Sequence, residues 1–284
     1  MNAIARVLRR RRERGLPVLS RDALGRLPTC VYYGTPLGLM IEVILKALAC
    51  AIPDRVLAGQ RSDPMNVILD GALRDGSGAY ITAEATAVGW GAGASMDGAN
   101  GVVNHMGGDL KNMPVETLES KYPLQIRRYA LESDSAGPGE YRGGLGVIKD
   151  YATTDGSSRL TLWFERNVTP PWGLEGGQAG RPARVILARG TPEERVLMKV
   201  NHQPVPAGLT ISARTGGGGG FGPAWRRPVE KVLDDLTDGY ISSNGAQWDY
   251  GIRFVGATRT VDEAATAAVR AAKAGIATRR PWID

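Results

Sequence analysis

Three glycine-rich segments in the second half of the chain constrain its fold more than any other feature. They are residues 134–146, 171–177 and 215–222, and the last contains five consecutive glycines. Each glycine loses more backbone freedom on folding than any other residue, so such segments destabilise a structure unless the missing side chains are put to use. Glycine is needed where φ is positive, or where bare backbone closely approaches a ligand or another segment. The segments therefore predict tight turns or close backbone contacts.

The rest of the composition is that of a folded protein. The chain has 284 residues, of which 43% are hydrophobic and 23% charged, which is enough for one large domain or two modest ones. Its net charge of +6 arises largely from residues 9–14 and from Arg279 and Arg280, without interleaved aromatic residues. Basic ends of this kind are typical of solvated arms, so we expect no nucleic-acid partner.

The few cysteines and histidines limit metal chemistry and indicate a reducing compartment. Cys30, Cys50, His105 and His202 are the only such residues in the sequence, and no CxxC motif is present. We therefore expect no metal site on this chain, and reduced thiols in a cytoplasmic protein. The basic N-terminal stretch also lacks the apolar region of a secretory signal.

The most apolar stretch, residues 37–52, is too short to span a bilayer. It contains Glu42 and Lys46, which lie one helical turn apart and can form an ion pair. We therefore expect a buried helix over residues 37–50 and no association with a membrane.

Alternating or continuous apolar residues predict a series of strands separated by turns. The predicted strands are residues 66–70, 79–86, 125–132, 146–152, 159–165, 183–187 and 196–200. Further helices are predicted after a cap at Asn112, over residues 228–236, and from the capping box Thr260-Val-Asp-Glu263 to Gly275.

This pattern predicts an α+β fold in which a β-rich, antiparallel central module is flanked by N-terminal and C-terminal helices. We expect three parts along the chain. They are a basic helical arm and linker over residues 1–36, an α/β segment over residues 37–123, and the β-rich module with C-terminal helices over residues 124–284.

The run of five glycines offers one candidate binding site. Successive backbone N–H groups can converge on an anion, so Gly217, Gly218 and Gly219 are candidate substrate-binding residues. No Lys-Ser or Lys-Thr pair follows the run, which excludes a Walker-type phosphate loop. The alternative is that the run passes close to another backbone segment and serves packing alone.

Ionisable side chains beside the glycine turns offer a second set of candidates. His105 lies in a glycine-flanked loop, where an imidazole can act as an acid, a base or a ligand. Asp134, Arg142, Glu165 and Arg166 stand at the ends of predicted strands, where charged side chains either orient a polar substrate or lock a turn by pairing. Both roles stay open for each of them.

Six motifs, in their order and spacing, resemble the hydantoinase B / 5-oxoprolinase family. They are residues 112–119, the Tyr122-Pro123 pair, residues 134–146, the Glu165-Arg166 pair, residues 171–177 and residues 215–222. The resemblance extends from about residue 37 to residue 255. The larger chains of that family are well over twice as long as this region, and the present chain resembles their C-terminal half.

The resemblance implies a subunit of a multi-chain, ATP-dependent enzyme, and hence a hetero-oligomer. A hydantoinase A-type partner that binds ATP and Mg²⁺ would phosphorylate the carbonyl of the substrate. The B-type subunit would then open a cyclic amide such as hydantoin, N-methylhydantoin or 5-oxoproline. In the related acetone and acetophenone carboxylases the corresponding subunit would carboxylate a ketone, so the implied substrate is a small cyclic amide or a ketone.

Within this scheme the candidate residues take definite roles. His105, Asp134 and Arg166 are the expected catalytic residues. His105 would move protons or position water, Arg166 would hold a carboxylate or a phosphorylated oxygen, and Asp134 would orient one of these groups. Arg142 and Glu165 are expected to bind the substrate together with the glycine run.

Two departures from the family pattern shape the expectation of partners. The His/Asp-rich metal-binding stretch of the family lies in its N-terminal half, and this sequence has no counterpart. Any divalent metal is therefore expected on another chain, which would carry the missing N-terminal half. After Gly222 the sequence has Pro223, where many relatives have an acidic residue. The alternative to a catalytic subunit is a structural one, whose glycine turns pack against the chain that performs the chemistry.

Overall fold

A computed structural model describes residues 35–105, residue 107 and residues 111–274. The described part contains five α-helices and two short 3-10 turns. The helices are α1 (Thr35–Leu48), α2 (Val115–Lys121), α3 (Val229–Thr237), α4 (Ser243–Trp248) and α5 (Glu263–Lys273), and the 3-10 turns are Pro53–Arg55 and Ala224–Arg226. No helix in this part of the chain is long and apolar enough to cross a membrane. Of the predicted arm and linker over residues 1–36, residues 1–34 lie outside the described residues.

Nine strands form two antiparallel sheets. They are β1 (Met65–Ala72), β2 (Ala79–Thr86), β3 (Leu124–Leu131), β4 (Val147–Thr153), β5 (Arg159–Trp163), β6 (Arg184–Leu187), β7 (Arg195–Leu197), β8 (Val200–Pro204) and β9 (Thr210–Arg214). A four-stranded sheet has the order β2-β1-β5-β8, and a five-stranded sheet has the order β3-β4-β9-β6-β7. The predicted α+β class with antiparallel sheets is confirmed.

The two sheets share one hydrophobic core. Leu69 and Leu160 of the four-stranded sheet pack in the same cluster as Val185 and Ile211 of the five-stranded sheet. In β2 every second side chain is buried, because alternate side chains of a strand point to the same face of the sheet. The buried face of the sheet is the one that turns toward the shared core.

A buried ion pair lies within this apolar layer. Lys149 of β4 donates from Nζ to Glu84 Oε2 of β2 at 2.7 Å, and the Tyr151 hydroxyl donates to the same oxygen at 2.9 Å. Lys149 is 1% exposed and Glu84 6%. The pair therefore links the two sheets across their shared interior.

One predicted strand differs from the structure, and one observed strand was not predicted. The single strand predicted at residues 196–200 is wrong, because β7 pairs with β6 in the five-stranded sheet whereas β8 pairs with β5 in the other sheet. The chain passes from one sheet to the other at Met198 and Lys199. Strand β9 was not singled out by the pattern, yet it occupies the centre of the five-stranded sheet between β4 and β6.

The helix caps also differ from expectation. Asp262, not Thr260, caps α5, because its Oδ1 accepts a hydrogen bond from the Ala265 N–H at 2.9 Å. Helix α2 begins after Pro114 without a side-chain cap, so the predicted cap at Asn112 is wrong.

A second hydrophobic cluster joins α3 and α4, with members that include Val232, Leu236, Ile241, Ala246, Tyr250 and Ile252.

The glycine run Gly216–Gly220 passes through a set of other extended segments, and we call this arrangement the glycine bundle. Its other members are residues 58–59, 89–93, 135–146 and 171–180. The Gly218 N–H donates to Gly144 O at 2.9 Å and the Gly219 N–H donates to Gly59 O at 2.7 Å. The carbonyls of the same two residues accept from Gly137 and Ala92. Successive residues of the run thus bond to different neighbours, unlike residues of a sheet strand.

Close approach explains why these positions are glycine. A Cβ atom on Gly218 would lie 2.0 Å from Trp90 O, and one on Gly219 would lie 1.9 Å from Trp172 O. Of the five glycines, only Gly216 has a positive φ, at 74°. Backbone packs against backbone here, so any larger residue would force neighbouring segments apart.

Helix α1 agrees with the predicted helix, but the prediction that it is buried is wrong for one of its faces. Met40 and Val43 are 60% and 69% exposed, whereas Glu42 is only 1% exposed. Glu42 forms its ion pair with Arg166 and not with Lys46, whose Nζ lies over the Trp172 ring. The helix therefore turns its single carboxylate inward and apolar side chains outward.

Candidate functional site

A cluster of buried and half-buried polar side chains lies where α1 meets the loop before β1, and we call it the Glu42 cluster. Its members come from four parts of the chain that are distant in sequence. They are Glu42 of α1, Gln60, Arg61, Ser62 and Asp63 of the loop, Asn104 and His105 of a second loop, and Arg166 after β5.

Gly38 brings helix α1 directly onto the loop. A Cβ atom at this position would lie only 1.9 Å from Ser62 O, so only glycine permits the contact. Asn104 Nδ2 donates to the same Ser62 carbonyl at 2.9 Å, which ties the second loop to the first. One helical turn after Gly38, the carboxylate of Glu42 faces the Gln60 backbone.

Glu42 is an unusual acid because burial sets its charge. Its Oε2 accepts hydrogen bonds from the Gln60 N–H at 3.3 Å and from Arg166 Nη2 at 3.2 Å. Burial raises the pKa of Glu42 from 4.5 to about 7, although Arg166, the Gln60 backbone and the Trp172 side chain oppose the rise. A carboxyl group that exchanges its proton near neutral pH is suited to acid–base work.

Arg61 connects the cluster to the glycine bundle. Its Nη1 donates to Thr215 O at 2.9 Å, immediately before the glycine run, and its guanidinium lies over the Phe164 ring. Its Nε lies 3.6 Å from Asp63 Oδ1, and Asp63 Oδ2 accepts from the Glu165 N–H at 2.8 Å. Burial raises the pKa of Asp63, and Arg61 opposes that rise. The bundle thus helps to hold Arg61 and its carboxylate partner in place.

A left-handed backbone turns Arg166 inward. Its φ of 57° is uncommon for a residue other than glycine and carries strain of about 1–3 kcal/mol. Arg166 reaches Glu42, whereas the preceding Glu165 binds Lys199 Nζ through its Oε1 at 2.6 Å, near the surface. Of these two predicted residues, therefore, only Arg166 has its side chain in the cluster.

His105 lies at the edge of the cluster, near the Gly38 backbone. Burial lowers the pKa of His105, and the Gly38 backbone opposes this shift. Both ring nitrogens are buried, and neither forms a hydrogen bond of ordinary geometry with a described residue, although the Gly38 backbone lies close enough to favour the charged ring. The lowered pKa favours the neutral imidazole, whose unprotonated nitrogen can accept a proton.

Several other polar atoms of the cluster are buried without a hydrogen-bond partner in the part of the chain that the structure describes. They are Gln60 Oε1, Arg61 Nη2, Ser62 Oγ, Asp63 Oδ1 and Arg166 Nε. Buried polar atoms nearly always have partners in native proteins, because an unpaired one costs about 1–3 kcal/mol. Such a concentration of unpaired donors and acceptors makes this cluster the candidate functional site.

Asp134 lies outside the cluster and supports the start of α4. Its Oδ1 accepts from the Ser242 N–H at 2.9 Å, its own N–H donates to Tyr240 O, and its φ is 57°. Ser242 in turn caps α4 through the Gly245 N–H. The catalytic role of Asp134 stays a prediction.

Arg142 joins α3 to the glycine bundle. Its Nε lies 3.2 Å from Asp235 Oδ1, and its Nη1 donates to Asn100 Oδ1 and to Gly143 O. Arg227 completes the network by binding Asp97 with two nitrogens, at 2.7 and 2.8 Å. Within the described ranges, no ion pair or hydrogen bond joins Arg142 or Asp134 to the Glu42 cluster.

The predicted anion cradle in the glycine run has little donor capacity left. The N–H groups of Gly218 and Gly219 already donate to backbone carbonyls, and both residues are buried. An anion would have to displace those bonds. Substrate binding by Gly217, Gly218 and Gly219 therefore stays a prediction. At two of these positions, Gly218 and Gly219, the backbone N–H group is already used.

Sequence reasoning missed Glu42, Arg61 and Asp63 as members of a site. The available signal was Glu42 itself, the only acidic residue in the most apolar stretch of the chain. Arg61 and Asp63 lie in a loop without periodicity, so no local pattern reveals that they are buried. Among the described residues, no group of three or more His, Cys, Asp or Glu side chains could hold a metal ion.

An open groove of about 950 Å³ lies elsewhere, at one end of the four-stranded sheet. Asp70, Tyr80 and Arg159 are among its lining residues, and none of the predicted site residues is. Its volume is that of a ligand site, but none of its described lining residues has a buried polar side-chain atom without a partner, so the Glu42 cluster is the better candidate.

Comparisons with a family model, with known sequences and with solved structures agree on one family. Residues 22–224 match the family model described as hydantoinase B/oxoprolinase. Caprolactamase subunit beta of Pseudomonas jessenii is 32% identical over 246 residues, which cover 84% of this chain and 42% of that protein.

Solved structures agree with the sequence match. The ATP-dependent caprolactamase from Pseudomonas jessenii superposes with a TM-score of 0.69 at 28% identity, over 84% of this chain and 42% of that one. A nucleotide-free acetone carboxylase shares the fold, with a TM-score of 0.65 at 22% identity, over 82% of this chain and 36% of that one. The chain thus spans about two fifths of the length of these relatives.

Proposed function

The chain belongs to the hydantoinase B/oxoprolinase family, and from that premise we propose that it is a B-type subunit of a multi-chain, ATP-dependent enzyme that opens a cyclic amide. The observation that carries the proposal is the similarity to caprolactamase subunit beta over 84% of the chain. Hydantoin, N-methylhydantoin, 5-oxoproline and caprolactam are all cyclic amides, so this chemical class is the proposed substrate.

The proposed division of labour follows from the chemistry of amides. An amide carbonyl is a poor electrophile, and ATP on a hydantoinase A-type partner, with Mg²⁺, would supply the phosphoryl group that activates its oxygen. In the described part of this chain, no acidic or histidine cluster fits a metal ion. In this proposal ATP and Mg²⁺ bind the A-type partner, and any further divalent metal binds outside the described residues of this chain.

The Glu42 cluster is the part of this chain that we propose faces the substrate. Neutral His105 would accept a proton from the attacking water. Arg61 Nη2 and Arg166 Nε, which have no hydrogen-bond partner among the described residues, would donate to the oxygen on which negative charge develops. Glu42 is within reach of Arg166 and would exchange a proton as the charge changes.

The other predicted residues have positioning roles in this proposal. Asp134 holds the start of α4, and Arg142 holds α3 against the glycine bundle. Glu165 stays paired with Lys199 unless a substrate displaces the lysine. These contacts keep the bundle in register, and the bundle in turn holds Arg61 through Thr215.

Two alternatives remain in the same family of functions. One is a subunit of a ketone carboxylase, which is supported by the fold shared with acetone carboxylase. The other is a structural subunit, which is supported by the bonded N–H groups of Gly218 and Gly219.

Reconstitution distinguishes these functions. The A-type partner and the rest of the B-type subunit would be mixed with ATP and each cyclic amide, with and without this chain, while ring opening and ATP hydrolysis are measured. We expect ring opening only with this chain, and an at least tenfold lower kcat for His105→Ala and Arg166→Ala. The exposed His202→Ala is the matched control. Undiminished turnover without this chain would exclude the catalytic role, and carboxylation of a ketone would identify the carboxylase.

A further inference from the structure

One face of helix α1 is apolar and exposed. Met40, Val43, Ile44 and Leu48 are between 42% and 69% exposed, and Ile52, just after the helix, is 38% exposed. Spacings of three or four residues place the first four of these side chains on one face of the helix, and Ile52 follows four residues after Leu48. We call these five residues the α1 stripe.

The stripe is held outward by contacts on the opposite face. Gly38 packs directly against the Ser62 carbonyl, and Glu42 is bound by Arg166. The helix therefore cannot roll to bury its apolar residues without breaking the Glu42 cluster. Single exposed apolar residues are common, whereas a contiguous exposed stripe marks an interaction surface.

The length of the relatives identifies what would cover the stripe. Helix α1 lies within the region that matches the family, which begins at residue 22. In caprolactamase subunit beta this shared region is only 42% of the protein, so the greater part of that polypeptide has no counterpart in this chain. A helix that this chain leaves exposed therefore belongs, in the relatives, to a much larger subunit.

We propose that the α1 stripe is the docking surface for the section of a B-type subunit that this chain does not contain, whether that section is part of the same polypeptide or a separate one. The proposal rests on the proposed function only for the identity of that subunit, because docking itself needs neither ATP nor substrate. The docked surface would be apolar, since the stripe presents only aliphatic side chains. Docking would also fix the helix that carries Glu42, and so couple the larger subunit to the candidate site.

Thiol labelling tests this proposal on the full chain. Val43→Cys and the control Val196→Cys are made in a background with Cys30→Ser and Cys50→Ser, because Val196 is similarly exposed at 62% but lies on β7. The probe is the section of Pseudomonas jessenii caprolactamase subunit beta outside the shared region, expressed as a separate polypeptide. We expect maleimide to react at least tenfold more slowly with Cys at position 43 when the probe is present, and at an unchanged rate at position 196.

A binding measurement completes the test. Wild-type chain and Val196→Glu should bind the probe, and the double variant Val43→Glu/Ile44→Glu should lose at least tenfold in affinity. Equal labelling of position 43 with and without the probe would overturn the proposal. Protection that instead increases with the concentration of this chain alone would identify a second copy as the occupant and also overturn it. A docked complex that opens no cyclic amide would contradict the proposed function but leave this inference standing.

Discussion

At the scale of single residues, Glu42 shows how surroundings decide the charge of a side chain. Its carboxyl group lies on the inner face of an otherwise apolar helix and is 1% exposed. The groups that reach it, which include the Gln60 N–H, Arg166 Nη2 and the Trp172 side chain, do not offset the loss of water, so its pKa rises to about 7. The residue thus sits near its midpoint at neutral pH, which links the stability of the fold to proton uptake.

Glu42→Gln should remove a pH dependence of stability. Because the folded-state pKa is raised, the stabilisation from protonated Glu42 is complete below pH 4.5 and is lost as the pH rises to about 7, an effect of about 3 kcal/mol. Between those pH values the free energy of unfolding of Glu42→Gln should fall by about 3 kcal/mol less than that of wild type. Urea titrations at several pH values measure this, with the exposed Glu116→Gln as the control. Equal slopes for both variants would show that Glu42 titrates normally.

Asp134 distinguishes a positioning role from a catalytic one. Asp134→Asn keeps an oxygen that can accept from Ser242 and tolerates the positive φ, so it should fold and melt like wild type. Asp134→Ala loses the acceptor and is strained, and should cost about 2 kcal/mol. Thermal unfolding measures both. A fully stable Asp134→Asn with abolished turnover in the reconstituted complex would instead favour the catalytic role predicted from the sequence.

At the scale of elements, the glycine bundle is the part of the molecule that departs most from regular secondary structure. Within its central run, Gly218 bonds to residues 137 and 144, Gly219 to residues 59 and 92, and Gly220 to residues 174 and 178, and the segments are close enough that a Cβ atom would overlap backbone atoms. Its stability comes from backbone hydrogen bonds and close contact, since few side chains take part.

Gly219→Ala should disrupt the bundle. Its Cβ would lie 1.9 Å from Trp172 O, and the backbone cannot give way without breaking the hydrogen bonds of both segments, so we expect a loss of more than about 4 kcal/mol or failure to fold. Gly78→Ala is the matched control, because an added Cβ meets nothing within 4 Å and φ is not positive. Its stability should lie within about 1 kcal/mol of wild type. Chemical denaturation compares the two, and similar losses would contradict the packing argument.

The sequence pattern predicts a helix or a strand correctly where residues close in the sequence determine it. The strand predicted at residues 79–86 agrees with β2 because alternation records which face is buried. The passage from β7 to β8 escaped prediction because residues 196–200 are mostly apolar and read as one strand, whereas β7 and β8 pair in different sheets. The caps were misplaced for a similar reason, since Asp262 and Thr260 both have suitable side chains and only the backbone geometry selects one.

At the scale of the whole molecule, the two sheets are joined by both apolar contacts and charge. Lys149 and Glu84 face each other across the shared core, and Tyr151 donates to the same carboxylate. Removing two charges from water costs as much as their attraction returns, so the pair contributes less to stability than to the register of the sheets.

Breaking this pair should cost far more than breaking an exposed one. Lys149→Met leaves the Glu84 carboxylate buried without its cation and should lose about 3–5 kcal/mol. Lys149→Met/Glu84→Gln should recover part of the loss, because no buried charge remains. The partly exposed pair of Lys199 and Glu165 is the control, and Lys199→Met should cost less than about 1 kcal/mol. Comparable losses for the two lysine variants, measured by urea unfolding, would show that the inner pair is not desolvated.

The candidate site could be predicted only in part, since it is assembled by the whole fold. His105 and Arg166 were found because glycine turns and a strand end single them out. Arg61 is buried by its contacts with Thr215 and Phe164, which lie more than a hundred residues away along the chain. The residues next to Arg61 in the sequence therefore give no sign that it is buried. Asp134 and Arg142 both lie in the glycine-rich segment 134–146. In the fold, however, their side chains bind Ser242 and Asp235 at the C-terminal helices, away from the candidate site.

The glycine bundle has a consequence for spectroscopy. Circular dichroism would count its residues as irregular, because they belong to no helix or sheet. The amide protons of Gly218, Gly219 and Gly220, however, are buried and bonded, so they should resist exchange with deuterated solvent like those of a central strand. In this protein, a segment without repeating conformation can be among the most rigid, and spectral regularity is a poor guide to order.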